Sequence, residues 1–235
     1  MHPTNLPQST IDRLMKRRGR IRAFDNIDSA KAALVVIDMQ NAFCAPAGPG
    51  EVPCAREIVP NINRLASQTR LAGGVVVWVQ MTIAGKADWP IFLDTLVRPD
   101  LGDEFLGDLL PGSNGQKLWP AVESRPSDLF VTKNRFSAFL PSACDLGEQL
   151  RRRGVETVII VGTLTNVCSE SSARDAAMSD FKTIMVSDAN ACRSDDDHLA
   201  TLSTFAQAFG DVCMTDEVVE LLHAGAQGRT LTAAE

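Results

Sequence analysis

A C-x-x-C pair, a dense Lys/Arg tract and an apolar run near the ~20 residues that cross a bilayer are all missing from this chain. Each absence removes a class of function. With a net charge of −6, and basic clusters only at residues 13–20 and 151–153, neither nucleic acid nor a membrane surface is an expected partner. A small-molecule substrate fits better. The six cysteines, at 44, 54, 144, 168, 192 and 213, are spread too thinly for a disulfide framework and read as reduced thiols. No continuous apolar segment follows the basic residues near the N-terminus, so no signal peptide is expected and a cytoplasmic location is. Histidine is scarce, limited to His2, His198 and His223.

What is present is an alternation of strand and helix. A chain of 235 residues with 45% hydrophobic content can bury one large core. We divide it into an N-terminal arm over 1–30, a main domain over 31–225 and a C-terminal tail over 226–235. The arm is polar and basic, with a short helix expected from Thr10 to Arg20, and it suits contact with a neighbouring subunit. β-branched runs predict strands at 32–37, 75–80, 129–133, 157–161, 183–188 and 212–214. Helical spacing falls at 55–72, 145–153, 169–177, 195–209 and 217–223. The alternation predicts an α/β fold: a doubly wound, mostly parallel six-stranded sheet with helices on both faces, Rossmann-like. Residues 81–126, divided by Pro90, Pro99, Pro111 and Pro120, suit a lid, a pocket wall or a subunit contact.

The segment Gly162-Thr163-Leu164-Thr165-Asn166-Val167-Cys168 stands out, because it puts a thiol between an apolar strand and a predicted helix. In the first turn of that helix, unpaired N–H groups favour the thiolate, so a lowered thiol pKa is expected. The alternative is that Cys168 simply packs as a small hydrophobe. Asp38, Gln80 and Lys133 also fall at or just past strand ends. Ligands of open α/β sheets bind beyond the carboxyl ends of the strands, so one crevice can collect all four residues.

Three ordered segments carry a resemblance. Val35-Val36-Ile37-Asp38-Met39-Gln40-Asn41-Ala42-Phe43, Lys133-Asn134-Arg135-Phe136-Ser137-Ala138-Phe139 and Gly162 to Cys168 resemble the signature segments of the isochorismatase-like cysteine hydrolases. That family includes nicotinamidases, ureidoacrylate and N-carbamoylsarcosine amidohydrolases and the isochorismatases. The resemblance implies a catalytic triad of Asp38, Lys133 and Cys168. It also implies a non-proline cis peptide at Thr163-Leu164, with the backbone N–H groups of Leu164 and Cys168 forming an oxyanion hole. It implies a homodimer or homotetramer as well.

Departures from the family pattern narrow the chemistry. No histidine lies in the segment after Gln80, where nicotinamidases carry their metal ligands, so no metal and no cofactor are expected. Isochorismatases cleave a vinyl ether, and several lack the cysteine; Cys168 therefore favours an amidohydrolase acting on a small amide, ureido or N-carbamoyl substrate. The segment from Thr165 to Ser171 looks closest to the ureidoacrylate and carbamoyl branch. The alternatives are a vinyl ether hydrolase, or a non-catalytic binding or redox member. Phe43, Gln80, Arg135 and Phe136 are the candidate substrate contacts. Arg135 either receives a substrate carboxylate through paired hydrogen bonds or pairs with an acidic surface residue.

Overall fold

The computed structural model describes residues 1 to 232, with side chains to residue 228. Six strands, β1 (Ala32–Ile37), β2 (Val75–Met81), β3 (Leu129–Lys133), β4 (Thr157–Thr163), β5 (Lys182–Ala191) and β6 (Asp211–Cys213), pair in the order β3-β2-β1-β4-β5-β6. Every pairing is parallel. The helices of the described residues are α1 (Gln8–Arg18), α2 (Asn41–Cys44), α3 (Val59–Leu71), α4 (Pro99–Leu109), α5 (Leu146–Arg152), α6 (Glu170–Met178), α7 (Asp195–Ala208) and α8 (Thr215–Thr232).

The sheet is covered on both faces, and the period-two alternation of β1 makes this plain. Leu34 and Val36 pack with Ile62 and Leu65 of α3 and Leu222 of α8. Ala33, Val35 and Ile37 pack with Leu146 of α5, Ala173 of α6 and Phe205 of α7. A strand buried on both sides needs a continuous apolar run, and all six residues of β1 are buried. Pro60 does not break α3, because it sits in the first turn, where its missing N–H is no loss.

Both terminal segments pack onto the domain. The N-terminal segment packs on its own chain, with Leu14 of α1 buried and Ile27 in the core. Buried Asp211 at the start of β6 anchors it, accepting from the Ala23 and Phe24 amides at 2.7 and 2.8 Å and from Arg18 at 3.0 Å. The last helix passes His223 and runs through Thr232, across the expected tail boundary. Gly225 permits this, since a Cβ there would lie 2.3 Å from the Ile27 carbonyl oxygen. Residues 233–235 of the tail lie outside the described residues. No helix among the described residues is long and apolar enough to cross a membrane.

The strand order reverses direction between β1 and β4, the switch point beyond which α/β sheets open a crevice. Gly162 brings these two strands together. Its φ is +116°, and a Cβ at that position would lie 2.1 Å from the Ile37 carbonyl oxygen. Only glycine fits both the backbone conformation and the gap.

Candidate active site

Asp38, Lys133 and Cys168 arrive at this crevice from three different strands. Asp38 follows β1 in the left-handed region (φ +51°), a conformation that short acidic side chains tolerate better than most. Lys133 is the last residue of β3, and Cys168 lies in the turn after β4. The Lys133 ammonium donates to Asp38 Oδ2 at 2.8 Å and to the Arg135 carbonyl at 3.1 Å. Side-chain exposures of 0% and 1% make this a fully buried ion pair. Asp38 Oδ1 is buried with no hydrogen-bond partner. The Thr163 hydroxyl donates to the Asp38 carbonyl at 3.2 Å, tying β4 to the same turn. The Thr163-Leu164 peptide is cis.

The electrostatics of the thiol correct the sequence-based expectation. Cys168 is not in the first turn of an α-helix; it belongs to a wide π-type turn, Thr165–Ser169, that precedes α6. A helix terminus cannot rescue a thiolate that has lost its water. Burial pushes the Cys168 thiol well above its ordinary value, against the pull of Lys133 and with a further push from Asp38. Burial also raises Asp38 above the usual carboxylate range, although the attraction and hydrogen bond of Lys133 oppose it. Lys133 loses solvation too, yet Asp38 and Cys168 hold its pKa above the ordinary lysine value. A thiol held above its ordinary value thus rests protonated, beside the buried Lys133–Asp38 pair.

Cys168 lines a cavity of about 200 Å³, together with Phe43, Met81, Phe92, Phe136 and Arg193. That is below the roughly 300 to 1,000 Å³ of pockets for drug-sized ligands, so the guest is small. Phe43 and Phe136 are where the sequence placed them. Trp89 backs the aromatic wall, 4.6 Å centroid to centroid from both Phe92 and Phe136. Leu164 and Val167 lie on the same wall.

Gln80 and Arg135 are not among the lining residues. Gln80 lies near the carboxyl end of β2, but its amide donates to the Gln116 carbonyl at 2.8 Å. Arg135 donates to the carbonyls of Asn134 and Asp88 at 2.7 and 2.6 Å, and its guanidinium covers Trp89 at 4.9 Å. With its donors turned to backbone and its face stacked, it supports the aromatic wall from behind.

Two residues escaped the sequence reading. Gln40, fully buried, donates to the Met81 and Gln116 carbonyls at 3.0 and 2.9 Å and accepts from the Met81 amide at 2.7 Å. It fixes the turn after Asp38 to the end of β2. Among the described residues Arg193 is the one cation on the cavity wall, and it donates to the Gly50 carbonyl at 3.3 Å. It follows β5, which runs to Ala191 rather than to 188, so the strand-end rule that found Lys133 finds Arg193 only once β5 is known to be that long.

Comparison with known proteins adds to this geometry. A family model described as the Isochorismatase domain matches residues 32–217. The chain is 31% identical over 197 residues to the isochorismatase family protein YwoC of Bacillus subtilis (strain 168), covering 83% of this chain and 96% of that one. It is 32% identical over 180 residues to the ureidoacrylate amidohydrolase RutB of Variovorax paradoxus (strain S110), an overlap of 69% of each. Among solved structures, a cysteine hydrolase from Pseudomonas syringae pv. phaseolicola 1448A superposes with a TM-score of 0.77 at 30% identity, covering 85% of this chain and 95% of that chain.

Proposed function

The chain belongs to the isochorismatase family and is a hydrolase, and from that premise we propose that it is a cysteine amidohydrolase cleaving the C–N bond of a small amide, ureido or N-carbamoyl compound. The observation that carries this reading is the buried Lys133–Asp38 pair at 2.8 Å beside a thiol that opens onto a small apolar cavity. An ether hydrolase working by protonation has no use for a nucleophile at that place.

The charge states set the order of events. Cys168 begins as a thiol, so Asp38 takes its proton as the sulfur attacks the substrate carbonyl. Lys133 remains cationic throughout and offsets the negative charge that moves from Asp38 to sulfur to the carbonyl oxygen. The Leu164 and Cys168 amides receive that oxygen. Asp38, now protonated, gives the proton to the departing amine, leaving a thioester on Cys168. It then accepts a proton from the water that cleaves the thioester and returns it to the Cys168 sulfur as the C–S bond breaks, and the acid product leaves. Among the described residues that line the cavity, Cys168 is the only strong metal donor, which supports a reaction carried by Asp38, Lys133 and Cys168.

The cavity supports a substrate with an apolar or planar body and an anionic end. Phe43, Phe92 and Phe136 take the body, and Arg193 takes the anion. Arg193→Met is expected to raise KM for a carboxylate-bearing substrate about ten- to a hundredfold, with little change for its neutral amide or ester counterpart. Equal changes for the two would remove Arg193 from recognition. Arg135→Met is expected to leave that discrimination intact.

The pH profile tests the role of Asp38. A base must be unprotonated to act, and burial raises Asp38, so the acidic limb of kcat/KM should lie above the ordinary carboxylate range. Activity is present above that limb and lost as the pH falls through it. A limb at or below the value of a free aspartate would contradict the assignment. The reaction class is tested by a screen for ammonia or amine release over ureido acids, N-carbamoyl amino acids, maleamate, nicotinamide and simple amides, with isochorismate as the ether alternative. Turnover of isochorismate alone would overturn the amidohydrolase reading.

A further inference from the structure

Outside the catalytic crevice, the side chains of His2, Cys192 and His198 meet in the interior, their donor atoms all within 4.8 Å of one another. Their exposures of 7%, 1% and 0% make this a dry cluster. Two imidazoles and a thiol are the ligand types that take zinc and other borderline or soft transition metals. We propose that His2, Cys192 and His198 form a binding site for a transition-metal cation of the Zn²⁺ class, joining the N-terminal segment to the rear of the pocket.

The hydrogen bonds around the cluster leave one nitrogen of His198 without a partner among the described residues and hold Nε2 of His2 against Cys192. His198 Nδ1 lies 2.9 Å from the Thr165 hydroxyl, while its Nε2 is buried with no partner. With the proton on Nδ1, donated to Thr165, Nε2 carries a bare lone pair into the cluster. The two rings stack with centroids 4.7 Å apart, so one ring must turn to aim its in-plane nitrogen at a cation shared with the other. His2 Nδ1 lies 2.7 Å from Asp195 Oδ1, the carboxylate–histidine arrangement that orients a metal ligand. Its Nε2 lies 3.1 Å from both the amide nitrogen and the carbonyl oxygen of Cys192, and a cation there would take the lone pair that now accepts from the amide. Cys192 would lose its proton on binding, so the cation, two neutral rings and one thiolate carry a net single positive charge beside Asp195.

The position gives the site a purpose independent of the proposed chemistry. Thr165 opens the turn that holds Cys168, and Cys192 immediately precedes Arg193 on the cavity wall. A cation held here would clamp the N-terminal segment against both. It is separate from Asp38, Lys133 and Cys168, so its presence or absence leaves the triad assignment untouched.

The test uses the full chain without a polyhistidine tag, titrated with Co²⁺ as the spectroscopic probe and then with Zn²⁺ as competitor. We expect one equivalent of Co²⁺ with a thiolate-to-metal charge-transfer band, displaced by Zn²⁺. The band should vanish in Cys192→Ser, weaken in affinity at least tenfold in His198→Gln, and persist in Cys168→Ser. Asp195→Asn should weaken binding about 10- to 100-fold. Far-UV circular dichroism confirms that each variant is folded. The proposal is overturned if folded wild-type protein binds no Co²⁺ at micromolar concentration, if the band survives Cys192→Ser, or if it disappears in Cys168→Ser.

Discussion

Replacing Cys168 by alanine should reduce turnover by about 10⁴-fold or more while leaving a folded protein. The size of the effect follows from covalency. Without the sulfur there is no acyl-enzyme, and water must attack an amide directly, with only binding and amide N–H donors to help. The fold should survive because Cys168 is neutral and packed, so its loss removes one sulfur from an apolar wall and costs about 1 kcal/mol. A melting temperature within a few degrees of wild type, together with lost activity, is the expected pair of observations. Cys168→Ser should be nearly as inactive, since a hydroxyl in the same dry position is harder to ionise than a thiol.

Lys133→Met should damage both activity and stability, for one electrostatic reason. Removing one partner of a buried ion pair leaves the other charged without compensation, which typically costs about 3 to 5 kcal/mol. Asp38 escapes part of that cost by taking up a proton, so its pKa rises further above the value it has beside Lys133. A carboxyl group whose folded pKa is raised contributes stability below its unfolded pKa and loses it as the pH rises through the folded one. The deficit of Lys133→Met should therefore be large at pH 8 and smaller at pH 5, measured as the difference in urea midpoint from wild type. Activity should not return at the lower pH, because a protonated Asp38 cannot accept the thiol proton. Asp38→Asn added to Lys133→Met should recover stability without activity. A deficit that is the same at both pH values would mean that the pair is not the source of the cost.

Much of this site is legible in the sequence, and the reasons differ by residue. Asp38, Lys133 and Cys168 sit at the ends of apolar, β-branched strands whose limits are sharp, so the strand-end rule places them in one crevice before any coordinates exist. Phe43 and Phe136 follow because they lie within the same quoted segments. Arg193 was hidden by the length of β5, which continues through Ser187, Asp188 and Asn190. The expected strand stops at Asp188, yet Asn190 extends it by donating to the Ile160 and Val186 carbonyls at 2.9 and 2.8 Å. Arg135 and Gln80 were misplaced because chain position fixes where a Cα lies but not where a long polar side chain finds its partners. The thiol pKa was misjudged because sequence reports a helix start and not burial. Burial at Cys168 outweighs the pull of Lys133 on the thiolate. Phe92 and Phe105, which both line the cavity, come from a segment whose prolines mark a pocket wall without saying which side chains face inward.

The central claim is a covalent acyl intermediate on Cys168, and hydroxylamine present during turnover tests it most directly. With the best substrate of the amine-release screen, the expected result is diversion of the acyl group to its hydroxylamine adduct, rising with hydroxylamine concentration at the expense of the acid product. Undiminished acid formation by the wild-type protein, with no adduct at any hydroxylamine concentration, would contradict it.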